Sequence, residues 1–118
     1  MIKLLMLDEQ KIFKAGLMAN FQKERNIHIP ETKKMQQELE ALFNFSQDDL
    51  LDEISSIQPD VVLVDPLYNN RNRLPFIKKL IKKLPHLKII ILTNNRENIY
   101  LSEAIKLGVK AFLLKTNL

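Results

Sequence analysis

Four short runs of this 118-residue chain are almost unbroken in Ile, Leu and Val: Ile2–Leu7, Val61–Val64, 88–92 and Ala111–Leu114. Apolar and polar residues do not alternate within them, so each run needs cover on both faces. Strands of a parallel sheet have that need. A weaker fifth run lies at 27–29. Between the runs, apolar residues recur at helical spacing. Ile12, Phe13, Gly16, Leu17 and Phe21 share one face, as do Leu74, Ile77, Leu80, Ile81 and Leu84; Ile99, Leu101, Ala104, Ile105 and Leu107 form a looser set. Strand and helix in alternation predict a doubly wound α/β fold around a five-stranded parallel sheet with right-handed crossovers.

The breaks between segments have local causes. Pro59 and Pro85 stand just before the third and fourth strands, where each forbids a helix from continuing. Gly108 follows the last periodic residue, Leu107, and suits the left-handed position that ends a helix. Asn94 and Asn95 are placed to cap the last helix. Between the second and third strands lie about thirty residues where one crossover helix needs about half as many. Two helices, 31–44 and 46–57, account for them, the second opened by Ser46 with Asp49 three residues on. The chain has only two glycines, so its turns must rely on Asn, Asp and Pro.

Composition removes several classes. There is no cysteine, hence no disulfide framework and no thiolate ligand or nucleophile. The apolar content of 46% excludes a disordered chain. No stretch approaches the roughly 18–20 apolar residues of a membrane span, and the first residues lack the form of a signal peptide. The expectation is a cytoplasmic chain of one domain, 1–118, that makes no membrane contact. Its net charge of +4 is unevenly spread. Seven acidic and no basic residues fall within 36–60, and seven basic and no acidic within 71–88. The basic block reads as a solvated helix face, since no aromatic residue faces its lysines at a useful spacing for nucleic-acid stacking. His28 and His86 have no partner at metal-ligand spacing and read as surface residues; Met6, Met18 and Met35 read as core fillers.

In a doubly wound sheet, ligands bind beyond the carboxyl ends of the strands. The first strand ends at Asp8 and Glu9, the third at Asp65, the fourth at Thr93 and the fifth at Lys115. Three carboxylates, a hydroxyl and an ammonium on one rim suit phosphoryl chemistry. Clustered carboxylates repel, and Mg²⁺ relieves that repulsion while keeping sites for water and phosphate oxygens. A carboxylate can also be the nucleophile toward a phosphoryl group.

At these positions the sequence resembles the receiver domains of response regulators in two-component signalling. The segment I-K-L-L-M-L-D-E-Q at 2–10 resembles their first strand and acidic pair, and P-D-V-V-L-V-D at 59–65 the strand that ends in the phosphoacceptor aspartate. I-I-I-L-T at 89–93 and G-V-K-A-F-L-L-K at 108–115 resemble the threonine and lysine segments. The likeness covers about 85 of the 118 residues and stops over 30–57. Phrases around 16–17 and 112–115 are most similar to the branch with a C-terminal LuxR/NarL-type helix-turn-helix output domain.

The resemblance implies a flavodoxin-like fold with strand order 2-1-3-4-5. It implies that Asp65 accepts phosphate from a sensor histidine kinase. Mg²⁺ would be held by Asp8, Glu9, Asp65 and the backbone carbonyl of Leu67. Lys115 would pair with the phosphoryl group, Thr93 would donate to it, and Phe112 would be the aromatic switch. The chain would then be a signalling switch rather than an enzyme in the ordinary sense, assisting only its own phosphotransfer. DNA would be reached through an output domain outside this chain, with a homodimer as a further partner.

Some positions depart from the family pattern. Pro66 follows Asp65 and removes an amide, Asn94 stands where a small residue follows the threonine, and the loop P-L-Y-N-N-R-N-R lacks the usual proline and glycine. Asn69, Asn70 and Asn72 are expected to take the left-handed conformations. The alternative is a weakly or non-phosphorylated receiver that serves as an interaction or dimerisation module. A small phosphohydrolase is disfavoured because no second acid–base carboxylate follows Asp65. The chain stops just past the fifth strand, where a receiver adds another helix, so the expectation is a fragment or a face covered by other means.

Overall fold

The computed structural model describes residues 1–7, 11–30, 47–68, 71–94 and 99–115. In chain order its elements are β1 (Ile2–Leu7), α1 (Lys11–Phe21), β2 (Ile27–His28), α2 (Gln47–Ile57), β3 (Val61–Val64), β4 (Leu67–Tyr68), β5 (Arg71–Asn72), α3 (Leu74–Lys83), β6 (Lys88–Thr93), α4 (Ile99–Leu107) and β7 (Ala111–Leu114). Five strands form a parallel sheet in the order β2-β1-β3-β6-β7, which is the expected 2-1-3-4-5. The expected helix 31–44, with Met35, lies outside the described residues; the helix expected at 46–57 is α2.

The apolar runs of β1, β3 and β6 are largely covered on both faces, whereas Leu113 of β7, the edge strand, is 42% exposed, so that run lacks the two-sided cover its composition predicts. Leu5, Leu7, Val62, Val64, Ile89 and Ile91 point into a layer with Leu50 and Ile54 of α2, Phe76, Ile77 and Leu80 of α3, and Ala104 of α4. Leu4, Met6, Leu63 and Leu92 point the other way, toward Phe13, Leu17, Met18 and Phe21 of α1. This strict alternation pins the register, because a slip of one residue would exchange the two faces.

Helix ends follow the local chemistry. α3 begins with Pro75 in its first turn, where no intrahelical N–H is lost, and ends with Lys82 and Lys83 near the negative end of its dipole. Gly108 has φ +92 and closes α4 with two bonds, from its own N–H to the carbonyl of Ile105 and from Val109 N–H to that of Ala104. α2 ends without glycine: Gln58 takes φ 54, its N–H donates to Ile54 O at 3.1 Å, and Pro59 follows. Of the two asparagines placed to cap α4, Asn95 lies outside the described residues with 96–98, and Asn94 directly follows β6.

Two expectations are corrected. The stretch after Asp65, read as an open loop, contains an antiparallel hairpin in which Leu67 pairs with Asn72 and Tyr68 with Arg71. Asn72 is therefore extended rather than left-handed; Asn69 and Asn70 lie outside the described residues. The basic block is also not uniformly solvated. Lys78, Lys79, Lys82, Lys83 and Lys88 are exposed, but Arg73 is only 4% exposed, held in the turn that joins the hairpin to α3. The acidic and basic blocks meet within the chain, where Lys83 Nζ lies 2.5 Å from Asp52 Oδ1. His28 and His86 are exposed and Met6 is buried, as read. Among the described residues no helix is long and apolar enough to cross a membrane.

Candidate functional site

Parallel pairing brings the carboxyl ends of β3, β6 and β7 to one rim. Asp65 follows β3 directly, and its N–H donates to Leu7 O at 3.4 Å, so it sits beside the end of β1. The sequence continues from Leu7 into Asp8 and Glu9, which lie outside the described residues. Thr93 ends β6 in register with Leu114, the last residue of β7, and Lys115 comes next. The side chain of Lys115 spans the end of β6 to reach Asp65, with Nζ 3.0 Å from Oδ2.

This ion pair is largely removed from water: the side chains of Lys115 and Asp65 are 2% and 16% exposed. Burying an ammonium costs several kcal/mol, which the carboxylate offsets by attraction and charge-assisted hydrogen bonding. Thr93 is equally buried, at 2%. A threonine, an ammonium and a carboxylate thus stand at the ends of three successive strands, where the burial of the ammonium would make charge on an incoming oxygen strongly felt.

Phe112 is placed differently from the rim. It pairs with Ile91, half-buried against the apolar layer that carries α4, and lies diagonally from Thr93 across the β6–β7 pair. Leu67 lies in β4, opposite Asn72. The carbonyl of Pro66 accepts from Arg73 N–H at 2.6 Å, which closes the base of the hairpin under the rim. Asn94, next to Thr93, is exposed.

Two placements were not legible from spacing. One is Arg73, whose burial follows from the hairpin. The other is Phe13 of α1, whose ring centroid lies 4.7 Å from Lys115 Nζ. Phe13 reads as an ordinary core residue in the periodicity of α1, and nothing local in the sequence links it to Lys115.

Among the described residues no group of three His, Cys, Asp or Glu side chains gathers as a metal cage. The described donor is the carboxylate of Asp65, one strand away from the end of β1 that leads into Asp8. Carboxylate oxygens of this kind suit a hard divalent cation.

A five-stranded parallel sheet of this order is the fold of the response-regulator receiver domains that the motifs resemble. No family model matches the chain. Over 115 residues it is 26% identical to the transcriptional regulatory protein LnrK of Bacillus subtilis (strain 168), a match covering 98% of this chain and 47% of LnrK. The chain spans about half the length of the curated relatives it matches. Among solved structures it is similar to a DNA-binding response regulator of the LuxR family from Staphylococcus aureus, with TM-score 0.74 and 20% identity over 98% of this chain and 88% of that one. It is similar also to a response regulator protein from Burkholderia pseudomallei whose crystal structure contains a phosphorylated aspartic acid, a calcium ion and citrate. That likeness has TM-score 0.71 and 19% identity over 98% of this chain and 60% of that one. These similarities support a receiver of two-component signalling.

Proposed function

We propose that the chain is a phosphorylation switch in which Asp65 accepts a phosphoryl group from the phosphohistidine of a sensor kinase. The observation that carries this reading is the buried Lys115–Asp65 pair at the strand-end rim beside Thr93. A carboxylate oxygen of Asp65 forms the new O–P bond as the P–N bond of the donor breaks, and the electron pair of that bond leaves on the imidazole nitrogen. Such a transfer needs chiefly positioning and cancellation of charge on the phosphoryl oxygens.

Lys115 supplies a fixed ammonium for one of those oxygens. Thr93 supplies a hydroxyl at the neighbouring strand end, and a donor drawn toward the phosphoryl group there would perturb the β6–β7 pair that also holds Phe112. Asp8, Glu9, Asp65 and the carbonyl of Leu67 are the residues that would hold Mg²⁺. When bound, the cation supplies further neutralisation of the phosphoryl oxygens. The Burkholderia pseudomallei structure, with its phosphorylated aspartic acid and calcium ion, supports the same reading by analogy. Control of transcription through a DNA-binding output domain, as the relatives' names suggest, is the proposed outcome of the switch.

The test is direct. The chain is incubated with Mg²⁺ and acetyl phosphate and its intact mass is measured. A single phosphoryl adduct that is absent in Asp65→Asn is the expected result. Absence of any adduct in the parent chain overturns the switch in favour of an interaction module, the reading that Pro66 next to Asp65 would then explain.

A further inference from the structure

We infer that Phe13 is a positioning residue for Lys115, holding the ammonium at the rim through the face of its ring. Two observations carry this. The ring centroid lies 4.7 Å from Nζ, within the range of a cation–π contact. The lysine side chain is 2% exposed, so the ring stands where a solvated ammonium would have water.

The chemistry distinguishes this contact from plain packing. An aromatic face attracts a cation through its quadrupole and is a far weaker acceptor than a carboxylate or phosphoryl oxygen. The three N–H bonds of Lys115 therefore stay available for oxygen: Asp65 now, and a phosphoryl oxygen in the reaction proposed above, on which the consequence for catalysis rests. A leucine in place of Phe13 would keep most of the apolar contact with the α1 layer and remove only the quadrupole. Phe13 also ties α1 to the rim, since one side chain belongs both to the apolar layer under that helix and to the surroundings of Lys115.

The test is a double-mutant cycle in the full 118-residue chain, with urea unfolding of the parent, Phe13→Leu, Lys115→Met and the double variant. The expected result is that Phe13→Leu lowers the folding equilibrium constant about 2- to 30-fold more with Lys115 present than with Met at 115. Equal penalties in the two backgrounds overturn the inference. Should Lys115→Met not fold, NMR decides: the ring-current shift of the Lys115 ε-methylene protons is expected to vanish in Phe13→Leu and return in Phe13→Tyr. Phosphorylation by acetyl phosphate is then expected to slow several-fold in Phe13→Leu and recover in Phe13→Tyr. Coupling between the residues with an unchanged rate overturns the positioning role. Coupling in a chain that takes up no phosphoryl group supports the contact and overturns the switch instead.

Discussion

Lys115 Nζ and Asp65 Oδ2 lie 3.0 Å apart although they follow strands that are not neighbours in the sheet. β6 stands between β3 and β7, and Thr93 at its end is buried. The pair is therefore a clasp over three strand ends. Its geometry depends on two registers at once, Val64 opposite Ile91 and Thr93 opposite Leu114. A group that draws the ammonium away from Asp65 would act on both registers, which is how chemistry at one carboxylate can reach the β6–β7 edge.

The clasp should show in stability as well as in chemistry. Removing one partner of a buried pair costs about 3–5 kcal/mol when both are fully desolvated. Asp65 retains some access to water, so Lys115→Met is expected to cost about 2–3 kcal/mol in urea unfolding. Asp65→Asn with Lys115→Met is expected to cost less than the sum of the single changes, because neither then leaves a buried charge unpaired. Additive penalties would show that the two side chains do not interact in the folded chain.

A second ion pair makes the opposite prediction. Lys83 and Asp52 are close, but their side chains are 39% and 71% exposed. Solvent screening and the entropy of two long side chains leave such a pair worth about 0.2–1 kcal/mol. Lys83→Ala is expected to change stability by less than about 1 kcal/mol, and 1 M salt to abolish most of the difference. A loss as large as that of Lys115→Met would mean that the acidic and basic blocks are held together by far more than this contact.

The contrast between these pairs shows what was legible in the sequence. Val61–Val64 and the other apolar runs read as strands because burial on both faces leaves no room for polar residues, and that signal is local. Asp65, Thr93 and Lys115 could be named as rim residues because a parallel sheet gathers its carboxyl ends, which turns strand assignment into site assignment. Arg73 and Phe13 could not. The burial of Arg73 depends on a hairpin two residues long on each side, too short to leave a periodic signature. The contact of Phe13 depends on where α1 crosses the sheet, and its helical spacing is equally consistent with core packing alone. Tertiary placement, not residue type, makes those two assignments.

Gly16 offers a stabilising change. It lies within α1, and a methyl group at its α-carbon would meet nothing within 4 Å. Glycine inside a helix costs about 0.8–1 kcal/mol relative to alanine, through backbone entropy in the unfolded chain. Gly16→Ala is expected to raise stability by about that amount, with the Asp65 chemistry unchanged. A destabilised Gly16→Ala would show that this face of α1 is packed more tightly than the open space around Gly16 allows.

The ends of α2 and α4 carry opposite expectations. Both close through a left-handed residue, but α4 uses Gly108 at φ +92 and α2 uses Gln58 at φ 54. A side chain in that region costs about 1–2 kcal/mol from contact of Cβ with the following carbonyl. Glycine avoids this and gives back about 0.5–1 kcal/mol in unfolded-state entropy. Gln58 also donates from Nε2 to Ser55 O at 2.7 Å, an exposed bond of small net worth. Gln58→Gly is therefore expected to stabilise the chain by about 0.5 kcal/mol, a rise of about 2–3 °C in Tm. Gly108→Ala is expected to lose about 0.5–1 kcal/mol, the strain of a side chain there less the unfolded-state entropy that glycine costs. Calorimetry on the two variants checks both signs. A stabilised Gly108→Ala would mean that the turn after α4 relaxes out of the left-handed region, breaking its bonds to Ala104 and Ile105 and the exit into β7.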